Sequence, residues 1–161
     1  MARKLLRVTV AALLLTAGTS IAVAQIVASA TGSGQFHTSG SLRTFTFNAN
    51  TDSSGTTTGQ TQGNNRAAGV KWHGSLNCLN VVGNVATMAG VVTDITPGLG
   101  DPFLVGNFIV FQVIDNGEGS NAPPDLISLT FFFPAGSPNP GCTGFGVFAT
   151  IPIEHGNVQV H

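Results

Sequence analysis

The stretch GSLNCLNVVGNVATMAGVVTDI, Gly74 to Ile95, sets two apolar-rich runs on either side of a Gly83-Asn84 pair. A pair of that kind between two such runs folds an extended chain back on itself. Ala67–Val82 and Val85–Ile95 therefore read as a β-hairpin. In its first arm Leu76 and Cys78 are two residues apart, so the pleat is expected to place them on one face. The same alternation continues outward in both directions. It marks TFTFNA (44–49), GNFIVFQVID (106–115), DLISLTFFF (125–133), GFGVFATIPI (144–153) and HGNVQVH (155–161), with Gln35–Ser39 as the first strand. The polar tract from Asn50 to Arg66 is low in complexity, and its Thr-rich part TTTGQTQ is expected to pair with TFTFNA. Past residue 24 no apolar stripe at helical spacing survives the Gly, Thr, Asn and Pro residues that interrupt the chain.

About seven or eight short strands joined by short turns predict an all-β, antiparallel up-and-down barrel, with a β-sandwich as the alternative. The immunoglobulin form of a sandwich places its Trp between the two cysteines, whereas Trp72 precedes both Cys78 and Cys142. Two strands are apolar on both faces, Phe108–Phe111 and Phe131–Phe133. Such strands need cover on both sides. The outer wall around Phe108, Ile109, Phe111 and Phe132 is accordingly expected to be capped by the N-terminal segment or to serve as a contact surface for a partner or a second copy.

Arg3, Lys4 and Arg7 precede the apolar run VTVAALLLTAG and the small residues Ala22-Val23-Ala24. This is the order of a secretory signal peptide cleaved after Ala24, leaving a single secreted domain, 25–161. The apolar core of about 10 residues is short for a membrane span, which needs about 20. No membrane insertion is expected once the signal is removed. The remaining chain carries Arg43, Arg66 and Lys71 against seven carboxylates, three minus seven, or a formal charge of −4. Nucleic-acid binding requires a basic stripe that displaces counterions from phosphates, and three scattered cations do not form one. Two cysteines in an exported chain predict a Cys78–Cys142 disulfide, with two buried thiols as the alternative.

The segment VIDNGEGSNAPPD, Val113 to Asp125, gathers Asp115, Glu118, Asn121 and Asp125 in one connector. Those four could converge on calcium, an ion that takes hard oxygen ligands. However, Gly117 and Gly119 occupy places where a calcium loop of the EF-hand type would carry further acids or amides. The favoured reading is a hairpin connector, turned at Asn116-Gly117 and stiffened by Pro123-Pro124, with no cofactor. His155, Asn157, Gln159 and His161 alternate with Gly156, Val158 and Val160 and read as the wet face of a last strand. A zinc or copper site would need His37 or His73 to join them. No Gly-x-Ser-x-Gly elbow, phosphate loop or dinucleotide fingerprint occurs. A glycosidase pair such as Asp94 with Asp115 has nothing to hold its separation. No catalytic constellation is recognisable.

The run WHGSLNCLNVVGNVATMAG (72–90), the later VIDNGEGSNAPPD, the opening TFTFNA and the ending HGNVQVH resemble a group of small exported bacterial proteins of unknown function. In that group HG-x(3)-CL-x-V-x-GN leads to V-x-DNGEG and PPD. The resemblance implies an exported β domain and no assigned activity. The expectation is thus a secreted, non-catalytic β-barrel that binds a small ligand or associates with a surface. The alternatives are a structural, oligomerising cell-surface protein and a small hydrolase or metal-dependent enzyme.

Overall fold

The computed structural model describes residues 25–96, 104–119 and 121–161, and every helix or strand among them is a strand. In chain order these are β1 Ile26–Thr38, β2 Ser41–Asp52, β3 Thr57–Asn65, β4 Val70–Val82, β5 Val85–Thr96, β6 Phe108–Ile114, β7 Leu126–Ser128, β8 Phe131–Phe133, β9 Thr150–Pro152 and β10 His155–Val160. The segment read as a signal peptide, 1–24, lies outside the described residues.

All pairings are antiparallel, in the order β10-β1-β2-β3-β4-β5-β6-β7-β9, and β8 lies beside β7 on the same edge of β6. β9 runs into β10 through Ile153 and Glu154. Ile153 donates its N–H to the carbonyl of Asp125, whereas Glu154 donates to Gln35. One chain segment therefore changes partner from β7 to β1 and joins the two edges of the curled sheet. Nine of the ten strands lie along the sheet order, with β10 and β9 at its two ends, and β8 lies off it on β6. Bringing the edges together in this way shelters part of the unpaired N–H and C=O rows that an open sheet exposes.

The Gly83-Asn84 hairpin forms, as β4 and β5, and β3 pairs with β2 as the Thr-rich tract predicts. One detail differs. Register shifts between Leu76 and Cys78, which pair with Gly90 and Ala89, so Asn77 is an extra, bulged residue. A bulge reverses the sidedness of every residue after it. Leu76 consequently faces the core and Cys78 the outside, where they had been expected to share a face. A Cβ at Gly90 would collide with the carbonyl of Ser75, so the bulge requires glycine there.

β1 is much longer than Gln35–Ser39. Its inward positions are Ala30, Gly32, Gly34 and Phe36, mostly too small to register as an apolar alternation. Their missing volume is supplied by the neighbouring strand, where Phe47 lies 2.8 Å from the place a Gly32 Cβ would take. The expected strand 125–133 divides into β7 and β8 across a one-residue register change on β6. Of 144–153 only Thr150–Pro152 is strand.

The inner face carries the main core, in which Leu76, Met88, Ile109, Val113 and Val158 are fully buried. Burying such a side chain contributes about 1.5–3 kcal/mol. A chain of rings, Phe36–Phe45–Phe47–Phe111, runs through it with centroids 5.6–6.1 Å apart. A second cluster lies on the outer face of β5 and β6, where Ala89 and Val110 are covered by Cys142, Phe145 and Phe148. Among the described residues the cover is the 134–149 segment. Cys78 and Cys142 form a disulfide across 64 residues. Buried Gln112 adds two further ties, donating to the Gly146 carbonyl and accepting from the Phe148 N–H.

Candidate functional site

Asp115 and Asp125 belong to the seam of the sheet. The N–H groups of Val158 and Val160 point away from β1, toward the connector between β6 and β7. Asp125 Oδ2 accepts from Val158 at 2.8 Å and Asp115 Oδ2 from Val160 at 2.9 Å. The second oxygen of each holds the connector itself, Asp125 Oδ1 from Asn116 N–H and Asp115 Oδ1 from Gly117 N–H. Glu118 Oε1 accepts from the Asn157 side chain, and Asn121 is exposed. The four residues weighed as calcium ligands are thus strung along the seam, and three of them hold protein donors. Among the described residues no three His, Cys, Asp or Glu side chains converge.

The histidines also stay apart. His155 and His161 are exposed, and His73 lies on the outer face beside Gln62 and Asp94 by register. His37 has a partner: its Nδ1 lies 2.8 Å from Glu154 Oε2, and its backbone N–H donates to Oε1. This hydrogen-bonded contact holds the Glu154 carboxyl below its ordinary range. Asp52 is likewise lowered, first by the Ser54 hydroxyl and then by the Thr56 N–H that it accepts.

The inner face opens at one end into a cleft of about 110 Å³ between the β1–β2 turn end, the β3–β4 end and β7–β8. Its apolar wall includes Phe36, Phe45, Trp72 and Phe132, with Trp72 and Phe132 edge-to-face at 5.4 Å. Its polar lining consists of hydroxyl and amide residues such as Thr61, Asn65 and Ser128, together with Arg43. Arg43 is the only charged residue there. By register it stands between Phe36 and Asn65, and its Nε is buried without a hydrogen-bond partner. Trp72 also covers Gly63 so closely that a Cβ there would enter the indole. The sequence carried a signal for Arg43 that went unread: it is in phase with Phe45 and Phe47, on the apolar face of TFTFNA.

The opposite face of these strands is a lattice of uncharged polar groups. Register aligns Asn157, Ser33, Thr46 and Gln62 in one row across β10, β1, β2 and β3, and Gln159, Thr31, Asn48 and Gln60 in the next.

The outer-wall assignment of Phe108, Ile109, Phe111 and Phe132 is corrected in part. Ile109 and Phe111 are 0% and 2% exposed and belong to the inner core. Phe132 turns inward onto Trp72, and Phe108 is half-buried opposite Phe133. The apolar residues left exposed nearby are Leu129, Phe131 and Val147. Alternation along β6 turns Ile109 and Phe111 to the inner face, and the outward Val110 is covered by the segment 134–149, which the disulfide brings back across the sheet. Among the described residues no helix is long and apolar enough to cross a membrane. The disulfide indicates a non-reducing environment. Compared with known proteins, the chain matches no family model, no curated protein and no solved structure.

Proposed function

We propose that this is an exported, non-catalytic binding protein that receives a small ligand in the cleft at the end of its sheet. The carrying observation is the cleft itself: aromatic walls facing a comparable set of hydroxyls and amides, with a single guanidinium. Small-molecule sites are usually concave and combine aromatic and apolar walls with polar groups that orient the ligand. The non-catalytic part of the reading draws support from the placement of acids and histidines, none of which lines the cleft. Export is supported by the basic-apolar-small order of residues 3–24 and by the disulfide. The kinship with small exported bacterial proteins remains part of this proposal.

Trp72 is the sole Trp of the chain and lines the cleft, so its emission reports occupancy directly. Small aromatic and aliphatic compounds should shift it saturably. Thr130→Phe, at the half-buried cleft wall between β7 and β8, should weaken that response without changing the thermal melt. A response equal in wild type and Thr130→Phe would place the binding elsewhere and end the proposal.

A second reading, surface association, is favoured by the uncharged rows on the outer face rather than by an apolar wall. Such rows offer donors and acceptors to a hydroxyl-rich neutral polymer. Protein that stays in the supernatant with insoluble glucan would remove it.

A further inference from the structure

We infer that the cleft selects a small monocarboxylate, whose apolar body lies against Trp72 and Phe132 while its carboxylate meets the Arg43 guanidinium. The inference rests on the ligand-binding reading above and goes beyond it by naming the charge and size of the ligand.

The charge follows from the lining. Arg43 is the only ionised group around the cleft, and among the described residues no carboxylate pairs with it. Its Nε is buried and has no acceptor. A buried donor without a partner is costly, and the cost is larger for a charged group. Arg43 lines the cleft, so an acceptor entering there meets the same guanidinium. The flat fork of a guanidinium matches the two oxygens of a carboxylate. Walls made by Trp72, Phe45 and Phe132 suit an apolar remainder, and Arg43 sets a single positive charge against the two negative charges of a phosphate monoester. A cationic ligand would meet Arg43 with like charge.

The size follows from the volume. An apolar cavity of about 150 Å³ holds benzene. The cleft, at about 110 Å³ with an open side, is smaller, so a single ring or short alkyl chain fills it and reaches its open side. A peptide presenting its C-terminal carboxylate would have to pass its whole backbone through the same opening, so the free acid is the better occupant.

The test compares acids with their neutral isosteres on the disulfide-bonded protein. Benzoate and hexanoate are titrated against benzamide and hexanamide, read by Trp72 emission and by calorimetry. A charge-assisted pair predicts that the acids bind about 10- to 100-fold more tightly. Arg43→Met should bring acid and amide to within about threefold of each other. Arg43→Lys, which keeps charge but not the fork, should retain part of the preference and serves where Arg43→Met melts early. Acids and amides of equal affinity in the wild type, or a full acid preference in Arg43→Met, would overturn the inference and leave the ligand-binding reading standing. Silence from all four compounds would overturn both.

Discussion

Asp125 offers the sharpest test of how the sheet is closed. It is 7% exposed, and each carboxylate oxygen accepts one backbone N–H, from Asn116 at 2.9 Å and from Val158 at 2.8 Å. Asp125→Asn keeps the shape of the side chain but replaces one acceptor with an NH2 group. Whichever way the amide turns, a donor then faces a donor. The change removes one hydrogen bond to a charged group, worth about 1.5–3 kcal/mol, and leaves a buried N–H without an acceptor, so the loss should be about 2–4 kcal/mol. Against a total stability of about 5–15 kcal/mol this is large. It corresponds to a fall in Tm of about 5–15 °C for a domain of this size. Urea denaturation of the oxidised wild type and variant measures the loss, and amide exchange locates it. Val158 should exchange faster while Leu76, deep in β4, changes only with global stability. Asp115→Asn, on the less buried neighbour, should cost about 1 kcal/mol. A loss below about 0.5 kcal/mol in Asp125→Asn, the range of ordinary surface substitutions, with Val158 protection intact, would refute the idea that carboxylates close the seam.

Three further outcomes follow from the same geometry. Cys78→Ala with Cys142→Ala should cost about 4 kcal/mol in the chain-entropy model of the 64-residue separation, and limited proteolysis should then cut within 134–149. Retained resistance there would show that Gln112 and the ring contacts suffice to hold the segment. Since the Glu154 carboxyl lies below its ordinary range in the folded protein, its contribution is full at neutral pH and is lost as pH falls through the carboxylate range. The urea midpoint of Glu154→Gln should thus approach that of wild type in acid, and an unchanged gap at about pH 3 would contradict the sign. Calcium should leave the melting temperature unmoved, because both oxygens of Asp115 and Asp125 already hold backbone donors. A rise of several degrees would restore the cation-loop reading.

Much of the fold was legible in the residues because period-2 alternation is a local property. Phe45 and Phe47 in β2, and the Gly83-Asn84 turn between β4 and β5, needed no distant partner to declare themselves. Where volume is shared between strands the signal failed. β1 buries Ala30 and leaves room at Gly32 for the ring of Phe47, so only Gln35–Ser39 of this strand was legible as strand. The bulge at Asn77 was equally silent, since it is a register relation between β4 and β5 and not a property of either strand.

The candidate site divides in the same way. Composition and alternation alone determined that the chain is a β protein poor in charge with two cysteines, and the fold decided that the two cysteines meet. Tertiary structure decided which face each large side chain takes. It turned Ile109 and Phe111 inward, laid 134–149 over Val110, set Asp115 and Asp125 against the edge of β10, and gathered Arg43 with Trp72 at one open end. Local sequence records the periodicity of a strand. The curvature that brings residues 43, 72 and 132 to one cleft arises only when strands far apart in the chain pair in a fixed register.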